Sequence, residues 1–82
     1  MSFSGDLANE LLFRYPTKII IIGREKRNEI KMSLRYHKLL LPALKKALVG
    51  IDGYGGGHEY ACGANVKTKD FEQFVENIKK NL

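Results

Sequence analysis

The residues best suited to chemistry lie in one stretch, Gly55-Gly56-Gly57-His58-Glu59-Tyr60-Ala61-Cys62-Gly63-Ala64. Three consecutive glycines remove every Cβ from a short length of backbone. N–H groups can then approach a ligand closely, and glycine takes up φ > 0 without strain. If His58 opens a helix, those N–H groups lie at its positive end, a setting that suits a phosphate. The competing reading is a flexible glycine linker, which is weakened because the run leads straight into His58 and a train of small residues. His58 itself has three readings: a donor to a phosphate oxygen, a metal ligand, or a cap filling a surface notch. A solitary histidine is most often the last, but imidazole titrates near neutrality, and the adjacent glycines lift the phosphate reading above it. The metal reading is poor, because no second His, Cys or Asp stands at ligand spacing.

A second constellation is Lys31, Ser33 and Arg35, which share one side of an alternating segment. Arg35 offers a bidentate fork to phosphate and Ser33 a neutral hydrogen bond, with Lys31 beside them. Taken alone, this is an ordinary solvated strand face. Tyr36, Tyr54 and Tyr60 lie near these basic positions and could stack on bases, although tyrosine is as commonly a half-buried packing residue. Glu59 beside His58 does not make an acid–base pair, because neighbours on a helix do not face each other. No Ser/His/Asp set or carboxylate cluster is visible, and Cys62 reads as a small buried hydrophobe.

The elements that must position these residues follow from hydrophobic spacing. Ser4 and Asp6 are candidate N-caps, with Phe3 as a staple, for a helix whose stripe is Leu7, Leu11, Leu12 and Tyr15 and which Pro16 stops. Thr17–Gly23 contains Ile19-Ile20-Ile21-Ile22, a β-branched run that predicts a central strand buried on both faces. A polar turn, 24–29, leads to strict alternation, with Ile30, Met32 and Leu34 on one side and Lys31, Ser33 and Arg35 on the other, so the pair reads as a hairpin. Leu41, Leu44, Leu48 and Ile51 predict a helix with Pro42 in its first turn. His58–Cys62 is read as a brief helix ended by Gly63, and Ala64–Thr68 as a strand. Thr68 or Asp70 caps a last helix with the stripe Phe71, Phe74, Val75, Ile78 and Leu82. The expected fold class is α/β: a small single domain, residues 1–82, with a mixed sheet of at least three strands flanked by helices.

An 82-residue chain buries only roughly 60% of its unfolded surface, so marginal stability is expected, and the lack of room for two domains with a deep cleft between them weakens a reading as a complete hydrolase. The net charge of +5 is uneven: residues 1–46 hold ten Lys/Arg against four Asp/Glu, and residues 47–82 four against five. A basic half suggests an anionic partner such as nucleic acid, although charge alone equally fits a solvated surface. The lone Cys62 excludes an internal disulfide and fits a reducing compartment. No apolar run approaches a signal peptide or a membrane span, so the cytoplasm is expected and a membrane is not.

Ser33-Leu34-Arg35 on a strand, then a helix, then Gly55-Gly56-Gly57-His58-x-x-Ala61-Cys62-Gly63-Ala64 resembles the DHH-associated (DHHA) C-terminal domain of DHH-family phosphoesterases. These are RecJ-type single-strand exonucleases, nano-RNases and cyclic-dinucleotide phosphodiesterases, and a divergent relative ends alanyl-tRNA synthetase. The likeness runs from about Asp6 to Lys80; Cys62 stands where the family often has alanine. It implies that Gly55, Gly56, Gly57 and His58, with Ser33, Arg35 and the adjacent Lys31, contact phosphate and backbone of a single-stranded nucleic acid or oligonucleotide. It implies a DHH catalytic domain as partner, carrying Mn²⁺ or Mg²⁺ on Asp and His ligands. The Asp-His-His motif is absent from this sequence. No catalytic residue, metal ligand or cofactor is therefore assigned to it, and it is expected to be the C-terminal piece of a larger phosphoesterase. The alternatives are a freestanding nucleic-acid or tRNA-binding module, or a protein-interaction domain without a catalytic partner.

Overall fold

The computed structural model describes residues 3–82. The elements are α1 (Phe3–Arg14), β1 (Ile20–Lys26), β2 (Glu29–Arg35), α2 (Leu41–Ala47), β3 (Gly53–Gly57), β4 (Ala61–Lys67) and α3 (Phe71–Lys80), with a 3₁₀ turn, Thr68–Asp70, leading into α3. The strands form one sheet in the order β1-β2-β4-β3. The α/β class is as expected, with helices on both sides of the sheet. Every strand pair is antiparallel, so the sheet is not mixed.

The β1–β2 hairpin turns on two residues, Arg27 and Asn28, with φ of 52° and 66°. Positive φ at both central positions is what a type I′ turn needs, and its twist matches that of the strands it joins. The expected six-residue turn is shorter because Arg24, Glu25 and Lys26 stay in the ladder, opposite Lys31, Ile30 and Glu29. They can be polar there because β1 is an edge strand, and charge on an edge deters further pairing. The isoleucine run is accordingly not central. Ile20 is buried because α1 lies over it, and Ile21 is half-buried where it packs against the core on the opposite face. Helices on both faces, not neighbouring strands on both sides, account for four apolar residues in a row.

Residues directly opposite in a ladder share a face. On the inner face, Met32, Leu34, Cys62, Ala64 and Val66 pack under α2 and α3 with Leu40, Leu44, Ala47, Phe74 and Ile78. The α3 stripe is as the spacing predicts, except that Leu82 lies beyond the helix and stays exposed. Asp70 stands at the α3 N-cap without capping it; its Oδ2 accepts the Asp52 backbone N–H at 2.9 Å instead.

On the outer face α1 packs chiefly on β1 and β2. Its buried residues are Gly5 and Ala8, while Phe3 is exposed and Leu11 and Leu12 are half-buried. The expected leucine stripe is therefore offset, because the smallest side chains let the helix lie closest to the sheet. Ser4 and Asp6 fall inside the first turn and are not caps.

The largest departure concerns residues 53–63. No helix forms at 58–62, and the glycine run is a strand at the sheet edge. The small residues of β4 alternate, with Cys62, Ala64 and Val66 buried and Gly63 open, and they accept β3 alongside instead of seating a helix. A Cβ on Gly53 would come within 2.7 Å of the Val66 Cα, and one on Gly55 within 2.7 Å of the Gly63 carbonyl oxygen. Only glycine lets the two backbones run this close.

Candidate nucleic-acid interface

Because α1 stops over β2, the outer face of β4 and β3 is left open. Its residues form cross-strand rows fixed by the register. One row reads Ile22, Ser33, Gly63, Gly56; the next reads Arg24, Lys31, Asn65, Tyr54. The last includes Lys26, Glu29 and Lys67, with the Asp52 carbonyl accepting the Lys67 N–H at 2.9 Å. A hollow of about 380 Å³ lies over the middle rows, lined among others by Ser4, Lys31, Ser33, Tyr54, Gly56 and Asn65. A second hollow adjoins it and shares Lys31 and Asn65, and is lined also by Arg24, Lys26, Arg27 and Glu29.

Five of the phosphate- or base-contact candidates named from the sequence, Lys31, Ser33, Tyr54, Gly55 and Gly56, line this outer-face hollow. Ser33 Oγ lies 3.2 Å from Ser4 Oγ, so α1 forms one wall. Arg35 is on the same face, one row further along. Its Nε donates to Asn9 Oδ1 at 2.6 Å, and its Nη1 donates to the Leu34 and Cys62 carbonyls at 2.9 and 3.3 Å. The guanidinium thus ties α1 to the sheet while holding a positive charge at the end of the face.

Gly57 and His58 are placed differently from expectation. Gly57 ends β3 with φ of 144°, and His58 begins the turn into β4. The His58 N–H donates to the Ala61 carbonyl at 2.9 Å, and its own carbonyl accepts the Cys62 thiol at 3.2 Å. With no helix there, no helix terminus supplies a positive end, and His58 lines neither hollow. Cys62 faces inward, and burial pushes its thiol above the ordinary value, only partly offset by the Arg35 charge.

The glycines divide into two kinds. Gly53, Gly55 and Gly57 are required by the approach of β3 to β4. Gly56 and Gly63 are not: a Cβ on Gly56 would meet nothing within 4 Å, and one on Gly63 only the Met32 carbonyl at 3.6 Å, an ordinary contact. These two lie directly opposite each other and floor the hollow.

The electrostatics of the face are set by cations. Glu29 is engaged by Lys67 at 3.0 Å, and that hydrogen bond, with the accompanying charge attraction, holds its carboxyl below the ordinary value and raises the Lys67 ammonium. Arg24 and Lys31 stand opposite each other, with no ion-pair partner among the described residues. Sequence reasoning missed Arg24 and Asn65, and it read Gly63 as the end of a helix rather than as part of this face. Extending the alternation of β2 to its neighbours would have placed them, had the register been known.

The family model of the DHHA1 domain matches residues 2–82. The chain belongs to the DHHA1 domain family. No curated protein matches it in sequence. Among solved structures, this DHHA1 domain is similar to the C-Ala domain from Aquifex aeolicus alanyl-tRNA synthetase. The TM-score is 0.78 at 21% identity, covering 96% of this chain and 78% of that one. The likeness extends over the sheet and the helices on both sides of it. Among the described residues of the DHHA1 domain, no helix is long and apolar enough to cross a membrane. Nor do any three His, Cys, Asp or Glu side chains stand together as metal ligands would. The resemblance places its divalent metal on a DHH catalytic domain, and the described residues of this chain offer no set of ligands for one.

Proposed function

We propose that the open outer face binds single-stranded nucleic acid, with Lys31, Ser33 and Arg35 meeting the sugar–phosphate backbone above the Gly56–Gly63 floor. The observation that carries this reading is that floor. Two paired glycines which packing does not require keep a strip of sheet flat and bare, and uncompensated cations flank it. A bare strip lets a backbone lie close, and cations beside it supply the sequence-independent part of the affinity. His58 stands level with the Arg35 row, beside Ala61, with Gly57 one position before it opposite Cys62, and His58 would meet a neighbouring phosphate of a longer strand. Within a larger protein, the domain would present that strand to a DHH-type phosphoesterase domain holding Mn²⁺ or Mg²⁺. A second reading, a freestanding tRNA-binding module, is favoured by one observation: the structural neighbour is a domain of a tRNA synthetase.

Fluorescence anisotropy with labelled single-stranded DNA and RNA, over a series of salt concentrations, tests the binding claim. Log affinity should fall linearly with log salt, with a slope of roughly −0.7 per phosphate neutralised. A salt-independent affinity, or none for any strand, contradicts the reading. Unlabelled tRNA as competitor separates the two assignments: it should displace the strand no better than an equal mass of unstructured RNA unless the tRNA reading is correct.

A further inference from the structure

The row Arg24, Lys31, Asn65, Tyr54 stands apart from its neighbours. The row below it is electrostatically self-contained, because Lys67 holds Glu29 and lies near Asp52. The row above is flat. In the row between, two cations lie directly opposite each other on β1 and β2 with no counter-ion among the described residues. Like charges facing across a ladder cost stability. Fold stability does not explain the pairing, whereas an anionic ligand would turn it into an asset. Asn65 comes next, its amide beside the Glu29 carboxylate, which it helps to keep ionised. The row ends at Tyr54, which is 70% exposed and packs against no part of the buried core. The three inter-strand steps span about 14 Å. Cation, cation, amide and ring therefore lie side by side along one line, and both hollows open onto it at Lys31 and Asn65.

We propose that this row is a nucleotide subsite, in which Arg24 and Lys31 take a phosphate and the Tyr54 ring stacks on the attached base. The inference rests on the nucleic-acid reading of the outer face and adds to it a place where bases, and not only phosphates, contribute. Asn65 lies between the two, positioned to meet the sugar or a base edge. Stacking on a tyrosine is tolerant of base identity, so the subsite adds affinity for a base-bearing strand without selecting a sequence.

The test compares a short labelled single strand with the same strand made abasic throughout, by anisotropy at fixed salt. Tyr54→Ala should weaken the base-bearing strand roughly tenfold and leave the abasic strand unchanged, while Tyr54→Phe retains the affinity of the parent. Arg24→Gln should weaken both strands and raise the melting temperature of the free domain, because it removes the facing like charge. Two results overturn the subsite while leaving the face reading intact. One is Tyr54→Ala binding the base-bearing strand as the parent does. The other is Tyr54→Ala harming both strands equally. If neither strand binds the parent protein at low salt, the face reading fails and the subsite with it. The chain contains no tryptophan, so Tyr54→Trp gives a single reporter whose fluorescence should be quenched by the base-bearing strand alone.

Discussion

Gly56 lies directly opposite Gly63 in the β3–β4 ladder, and neither position lacks room for a side chain. The neighbouring Gly55 does: its Cβ would come within 2.7 Å of the Gly63 carbonyl oxygen and 3.0 Å of the Ala64 Cβ. Adjacent glycines in one strand thus have opposite reasons for being glycine. Gly55→Ala should destabilise the domain by roughly 1–3 kcal/mol, as overpacking does. Gly56→Val should leave stability unchanged or slightly raised, since it also restricts the unfolded chain, yet it should abolish strand binding by filling the hollow. Thermal melts of both variants beside anisotropy check this; equal destabilisation by both would remove the case for a functional floor.

Arg35 has two duties. Its bonds to Asn9 Oδ1 and to the Leu34 and Cys62 carbonyls hold α1 against the sheet, so it is not a free surface cation. Arg35→Ala should cost about 1–3 kcal/mol in stability as well as weakening binding. Arg35→Lys should restore little of either, because a single ammonium cannot reach Asn9 and two carbonyls in a planar fork. Asn9→Ala should reproduce part of the stability loss and less of the binding loss. Chemical denaturation of the three variants measures the first effect and anisotropy the second; an Arg35→Ala domain as stable as the parent would contradict the structural duty.

The Lys67–Glu29 pair gives a pH signature. Lys67 lowers the Glu29 carboxyl below its ordinary 4.5, so the pair's contribution is present above that value and is lost as pH falls through the lowered one. Glu29 in turn raises Lys67 above 10.5, so the same contribution persists through neutrality and is lost only as pH rises past that raised value. The stability gap between the parent and Lys67→Met should be level at neutral pH and close below about pH 4.5. Glu29→Gln should release Lys67 to the groove, tighten strand binding severalfold and steepen the salt slope by roughly 0.7. Weaker binding by Glu29→Gln would mean that Glu29 positions a binding residue.

Much of this architecture is legible in the sequence, and the rest is not for identifiable reasons. The α3 stripe of Phe71, Phe74, Val75 and Ile78 and the alternation of Ile30, Met32 and Leu34 are strong periodic signals, and each element forms where its pattern lies. The β3 strand is illegible because four of its five residues are glycine, which disfavours strands; β4 recruits them by offering small residues and an open edge. The buried face of α1 is misjudged because hydrophobic spacing favours leucine, whereas close helix–sheet contact favours Gly5 and Ala8. Lys31, Ser33 and Gly56 are legible as candidates from residue type, and the family resemblance joins them into one site. Arg24, Asn65 and Gly63 are not, because only the register of three strands brings them into the same rows.

The most direct measurement is a ¹H–¹⁵N chemical-shift titration of the domain with a short single strand. The largest shifts should fall on the amides of Lys31, Ser33, Tyr54, Gly56, Gly63 and Asn65, tracing the outer face between α1 and the β3 edge. Shifts confined to α2 and α3, on the opposite side of the sheet, would contradict the assignment of the nucleic-acid interface.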